Sequence, residues 1–280
     1  MPIKEWNIRT TPRAAETSRL TTEELRSTFV IENCFNRDRI SWTFTDLDRM
    51  AVAGLNPGTS PVELVNDQET GRGSFLERRE LGIINTGGPG VIVADGKKYE
   101  MAPLDCLYVG MGTKSVTLAS NDASRPAKYF MISCPAHQTY PTTKAAQKEA
   151  NAIPLGAQSS ANARKIYQYI HEKGIKSCQL VMGFTELAEG SVWNTMPPHT
   201  HSRRTEIYHY FDLNGNIVVH LMGRPDQTRN LMIQEGQTVL SPAWSIHCGC
   251  GTGAYRFIWV MSGENQAFDD MDKFPATELK

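Results

Sequence analysis

The 280-residue sequence lacks an excess of charge of either sign: 29 Lys and Arg stand against 30 Asp and Glu, a net charge of −1 with a pI near 6.7. That excludes the basic footprint required by nucleic acid or an anionic membrane surface, and leaves a small molecule as the expected partner. Long hydrophobic runs are missing too. No window approaches the ~18 apolar residues of a membrane span, and the opening MPIKEWNIRTTPR has no signal-peptide core, so a cytoplasmic protein is expected. Cysteine is sparse, at Cys34, Cys106, Cys134, Cys178, Cys248 and Cys250. Without an export signal these are expected as reduced thiols, and a chain of this length buries one large or two ordinary cores without disulfides.

What is present is strand-like texture. From 80 to 140, short apolar runs (ELGIIN, GVIVADG, DCLYVG, SVTLAS, KYFMISC) alternate with Gly, Pro, Asn and Asp turns, and the same texture returns from 178 to 263. We expect an all-β chain of two tandem jelly-roll barrels, at 51–140 and 178–280, preceded by an N-terminal arm at 1–50 and joined by a linker and helix at 141–177. In the arm, threonine-capped TTEELRSTF predicts a short helix. In the linker, alanine and lysine content and the run KIYQYI predict another. The two blocks can be laid on each other by matching Gly96, Pro103 and Tyr108 to Gly236, Pro242 and His247.

One segment carries chemistry: EGSVWNTMPPHTHSRRTEIYHYFDLNG, from 189 to 215. His199 and His201 are separated by one residue, so an extended strand points both imidazoles to one face, roughly 6–7 Å apart along the backbone. A bend at SRRT returns Glu206 to that face, and His247 arrives from a distant strand. Three imidazoles and a carboxylate suit one divalent metal per chain, with a position left open for water or substrate. His137, His171, His209 and His220 are read as structural, and Cys248 and Cys250 lack the spacing of a thiolate pair. In the first block Ser74, Leu76, Glu80 and Tyr108 fall near the corresponding places, so that block is expected to be metal-free.

H-x-H-x4-E followed by G-x5-P-x4-H resembles the two motifs of the cupin superfamily, with departures at Trp244, where glycine is usual, and in CGCG, which lacks the usual asparagine. More narrowly, MPPHTHSRRTEIYHYFDL, TTEELRSTFVIENCF and the two half-repeats resemble the 5-keto-4-deoxyuronate isomerase family over essentially the whole chain. The resemblance implies a zinc-dependent ketol-isomerase of pectin and uronate breakdown, commonly a homohexamer, with His199, His201, Glu206 and His247 holding the metal.

Such a reaction moves a proton from C2 to C1 of an open-chain 2-hydroxy aldehyde through an enediol, and needs a stabilised oxyanion and a proton carrier. Glu206, Glu186 and Tyr208 are the candidate catalytic groups. Tyr208 and Tyr210 share parity with Glu206 and can face a polyol, while Arg203 and Arg204, beside the ligands, are candidates for the uronate carboxylate. Tyr255, Phe257, Trp259 and Met261 share one face and read mostly as core. A cupin dioxygenase using a redox metal, or a non-catalytic sugar-binding cupin, would use the same ligand set.

Overall fold

Short strands set the architecture, some alternating in burial along their length and others buried on both faces. A computed structural model describes residues 8–280, and the first seven residues of the expected arm lie outside the described residues. The chain divides into two compact units, one taking in Cys34–Ala150 and Ile175–Leu180, the other Thr11–Asn33, Asn151–Gly174 and Val181–Lys280. The expected arm is thus divided between them.

The first unit is built on β1 (Ala51–Asn56), β2 (Val62–Glu63), β3 (Arg79–Asn85), β4 (Gly90–Ala94), β5 (Lys97–Met101), β6 (Cys106–Val109), β7 (Val116–Ser120) and β8 (Tyr129–Pro135). Its larger sheet carries the order β1-β8-β3-β6 and its smaller sheet β2-β7-β4-β5. Inward-facing Leu81, Ile83, Val109 and Met131 of the first sheet meet Ile92, Val116 and Leu118 of the second in one apolar core.

The second unit uses β9 (Val181–Leu187), β10 (Trp193–Asn194), β11 (Arg204–Phe211), β12 (Val218–Arg224), β13 (Gln227–Ile233), β14 (Thr238–Ser241), β15 (Cys248–Gly251) and β16 (Arg256–Gly263). The orders β9-β16-β11-β14 and β10-β15-β12-β13 match the first unit strand for strand. Here the core joins Val181, Tyr208, Tyr210, Phe257 and Trp259 to Val218, Leu231 and Ile233. One edge of the larger sheet is covered by helix α1 (Thr22–Phe29), begun by a capping box in which the Thr21 hydroxyl accepts from the Glu24 amide and the Glu24 carboxylate from the Thr21 amide. Leu25 and Phe29, four residues apart and hence on one face, are buried in the core, each contributing about 1.5–3 kcal/mol.

Three expectations are corrected. The units are facing open sheets rather than closed barrels. The linker helix is absent: Asn151–Leu155 and Arg164–Ile170 form an antiparallel hairpin that extends the larger sheet of the second unit by pairing with β9. KIYQYI is rich in β-branched and aromatic residues that fit a half-buried pleated edge, and this outweighs the helical preference of the nearby alanines. Pro154 sits on the outermost strand, where a missing N–H costs nothing.

The third correction concerns register. Gly96 turns β4 into β5, whereas Gly236 lies between β13 and β14, so matching them joins different hairpins. Glycine and proline mark every hairpin, and spacing alone aligns the wrong pair. Pairings show the offset at Glu80: Leu81 stands opposite Val109 and Ser133, as Glu206 stands opposite Ser241 and Met261. Glu80 therefore points to the other face of its sheet. There its buried carboxylate accepts from the Tyr108 hydroxyl at 2.7 Å and from the amides of Cys178, Gln179 and Leu180 at 2.7–2.8 Å.

Among the described residues the six cysteines form no disulfide, and no helix is long and apolar enough to cross a membrane.

Candidate metal centre

His199 lies on the two-residue strand His199–Thr200, held by pairing with Asp272–Lys273. The chain then turns through Ser202 and Arg203, closed by the Arg204 amide on the His201 carbonyl at 3.2 Å, and enters β11 with Glu206 facing inward. His247 follows a second turn, in which the Ser245 amide donates to the Pro242 carbonyl at 2.9 Å, and precedes β15. Two tight turns and a sheet thus bring four side chains to one point.

All four are buried, and their ligand atoms lie within 4.8 Å of one another. The Nε2 of His199 is 3.2 Å from those of both His201 and His247, and the Glu206 Oε2 is 3.0 Å from His201 Nε2 and 2.9 Å from His247 Nε2. Donors on one ion with bonds of about 2.0–2.1 Å lie roughly 3.0–3.4 Å apart, so the set fits a single small cation. Tautomers fit as well. The three Nδ1 atoms lie beside the carbonyls of Pro197 (3.3 Å), Asp270 (2.9 Å) and Ser245 (3.3 Å), which a protonated Nδ1 satisfies, leaving each Nε2 lone pair directed inward. Three lone pairs and a carboxylate then converge with no proton between them, an arrangement that a cation stabilises.

The electrostatics agree. Burial, with His247 and His201 alongside, lowers His199 to about 3, so its imidazole is neutral near pH 7. Burial alone would raise the Glu206 carboxyl, but His247 and His201, acting as proton donors to it when no cation is there, outweigh burial and hold the group below the usual carboxylate range; a bound cation would take the donors' place.

The cluster opens on a cavity of about 310 Å³. Phe257, Trp259, Met261 and Phe268 form an apolar wall, and Tyr208, Thr195, Arg164 and Lys273 add polar groups. The Tyr208 hydroxyl is 3.0 Å from the Thr195 hydroxyl, and burial together with Glu206 raises the phenol well above its usual value, so it stays protonated.

The other expected site residues fall elsewhere. Glu186 lies on β9, bound to Arg256 and turned away from the cavity lining. Tyr210 is buried deeper, its hydroxyl 2.7 Å from His220 Nδ1. Arg203 is ion-paired with Asp270. Arg204 is buried outside the cavity lining and donates to the backbone carbonyls of Ala267, Phe268 and Asp270, the last also lying 2.9 Å from His201 Nδ1. His209 bonds Thr238 on the opposite face, and neither Cys248 nor Cys250 joins the cluster. Sequence reasoning missed Arg164, Thr195 and Lys273. Arg164 was hidden in the supposed helix, where period-two alternation was the available signal.

Fold and site together define a two-unit, cupin-like β protein with a three-histidine, one-glutamate centre able to bind a metal. The chain belongs to the KduI/IolB family, whose pattern matches residues 33–275. It is 55% identical to the 4-deoxy-L-threo-5-hexosulose-uronate ketol-isomerase of Opitutus terrae, over 96% of this chain and 98% of that protein. It is 49% identical to the enzyme of the same name from Caldicellulosiruptor bescii, over 93% and 95%. Among solved structures, an IolB-like protein of Salmonella typhimurium superposes with a TM-score of 0.65 at 14% identity, over 80% of this chain and 86% of that one. The oxalate decarboxylase of Lactobacillus farciminis gives 0.56 at 11%, over 78% and 77%. These structural likenesses speak to fold alone.

Proposed function

We propose that the protein is a zinc-dependent ketol-isomerase that converts 5-dehydro-4-deoxy-D-glucuronate to 3-deoxy-D-glycero-2,5-hexodiulosonate in the breakdown of pectin and related uronates. The observation that carries this reading is a buried four-donor centre opening on a cavity of substrate size, in a chain about half identical to ketol-isomerases along nearly its whole length.

Bound zinc supplies a Lewis acid that polarises adjacent carbonyl and hydroxyl oxygens. The chain does the rest. His199, His201 and His247 would hold the ion through their Nε2 atoms, and the Glu206 carboxylate would offset part of its positive charge. The Tyr208 phenol, steadied by Thr195, donates a hydrogen bond to the oxygen on which charge develops as the proton leaves C2. The wall of Phe257 and Trp259 excludes water and strengthens these interactions. Of the candidate proton carriers, Glu206 borders the cavity as a carboxylate and would take the proton from C2 and return it to C1, whereas Tyr208 stays protonated and Glu186 lies outside the lining.

We read the two units, with their common strand order, as tandem copies of one cupin fold, the first metal-free. The protein is proposed to act in the cytoplasm as a homo-oligomer, a hexamer by family resemblance. Anaerobic incubation of metal-replete protein with the uronate, followed by product identification, tests the function. Ketose should form without oxygen, reductant or nucleotide; no product, or product only with O₂, would sink it.

A further inference from the structure

Arg164 is a cation with no acid of its own. It begins the strand Arg164–Ile170 and lines the same cavity as the metal cluster. Its guanidinium donates to the Asn162 carbonyl at 2.9 Å, and among the described residues no carboxylate forms an ion pair with it. Arg203, Arg224 and Arg256 of the second unit are paired with acids, and Arg204 and Arg229 each donate to three backbone carbonyls outside the cavity lining, so Arg164 is the arginine that the lining contains. Burial depresses the Arg164 guanidinium, the mark of a cation that has lost water without gaining a counter-charge, and the Tyr208 and Tyr255 phenols lie near enough to interact with its charge. An unpaired, partly desolvated guanidinium costs stability, and a ligand that pairs with it recovers that cost.

The sheet fixes where this charge lies relative to the centre. Arg164 is opposite Leu187, whose amide donates to the Tyr255 carbonyl, whereas Glu206 is opposite Met261 at the other end of β16. Both side chains line one cavity, set apart along the length of β16, with Tyr208 within electrostatic reach of both. The acid in the lining is Glu206, which is committed to the histidines, so the cavity suits a polar chain with a negative group at one end.

We propose that Arg164 is the specificity-determining residue that binds the carboxylate of an open-chain sugar acid, holding its far end while the aldehyde end meets the metal cluster. This rests on the ketol-isomerase reading for its substrate but not for its chemistry, which needs only an acyclic polyol carboxylate. A planar fork of donors suits the two carboxylate oxygens, so lysine replaces it only partly. Lys273, exposed and opposite His199, lies at the metal end and does not share the role.

The test compares wild type, Arg164→Met, Arg164→Lys and the surface control Arg224→Met, all metal-loaded, in uronate turnover and in calorimetric binding of two unreactive probes, D-gluconate and sorbitol. Arg164→Met should raise KM about 10- to 100-fold with kcat within about 3-fold and metal content unchanged. Arg164→Lys should lie between the two, and Arg224→Met, which alters a surface arginine paired with Asp226, within about 3-fold of wild type. Gluconate should bind wild type more tightly than sorbitol, and Arg164→Met should abolish that preference while leaving sorbitol unaffected. A KM change below 3-fold in Arg164→Met, equal effects on the two probes, or no gluconate preference in wild type would each overturn the assignment. Should wild type fail to turn over the uronate yet bind gluconate through Arg164, the function proposed above fails and this inference stands.

Discussion

The Nε2 atoms of His199 and His247 lie 3.2 Å apart although 48 residues separate them in sequence. Two Nε2 atoms gain little from facing each other, and neighbours keep the rings there through Nδ1 contacts to the Pro197 and Ser245 carbonyls. The contact makes sense as two edges of one coordination sphere. Substituting either histidine by alanine should therefore remove the metal and leave the sheets intact, because His199 hangs from a two-residue strand and His247 from a loop, outside the four main sheets. Elemental analysis should give one ion per wild-type chain and well below a tenth of that in either variant, with unchanged far-ultraviolet circular dichroism. Two ions per wild-type chain, or full retention in both variants, would contradict the assignment.

Glu80 makes a different use of a buried carboxylate. It accepts one hydroxyl and three backbone amides and so pins residues 178–180 within the first unit. Replacing it with alanine leaves those donors without a partner, at a cost of about 3 kcal/mol or more. Chemical denaturation should show that loss, while metal content stays at the wild-type level. A variant as stable as wild type would remove the anchoring role.

The metal ligands were legible because coordination restricts residue type and spacing together: two histidines one residue apart, a carboxylate after a bend and a histidine after a turn satisfy the chemistry whatever the fold details. Face assignments held where one strand could be counted from a fixed point, as from Glu206 to Tyr208 and His209. They failed between strands. Nothing in the sequence tells which face of β9 carries Glu186, and in the structure Arg256 has taken it. Arg203 and Arg204 are near the ligands in sequence, but proximity along a bend does not give direction, and carboxylate and carbonyl partners from 265–270 claimed both. Arg164 became visible only once KIYQYI was seen as a strand, which depended on a free edge of β9 that no local pattern encodes.

Acid should destabilise the metal-free protein through its buried histidines. Burial, with His247 next, lowers His220 to about 3, and His199 is lowered to about 3 in the same way, against 6.5 for a free imidazole. Because the unfolded chain takes up protons that the folded chain refuses, stability is full above about pH 6.5 and falls progressively as pH drops toward 3. Each histidine contributes a slope of up to ~1.4 kcal/mol per pH unit in that window. Denaturant titrations of stripped protein at several pH values should show the decline, and His220→Gln should flatten it by about one proton. Stability that rises on acidification would show the sign to be wrong.

The last prediction isolates Tyr208. Its hydroxyl borders the cavity beside Glu206, hydrogen-bonds Thr195 at 3.0 Å and stays protonated because burial and the neighbouring carboxylate both oppose ionisation. Such a phenol cannot serve as a base near neutral pH, but it can donate to an oxygen as charge builds there, an interaction made mainly in the transition state. Tyr208→Phe keeps the ring among Phe257 and His247 and removes only the donor. We therefore expect kcat to fall about 10- to 1000-fold, KM to stay within a few-fold and metal content to be unchanged. Thr195→Val, which frees the phenol to rotate, should lower kcat by less. A Tyr208→Phe variant with wild-type kcat would assign oxyanion stabilisation to the metal alone, and one that had lost its metal would make the tyrosine a support for the ligands.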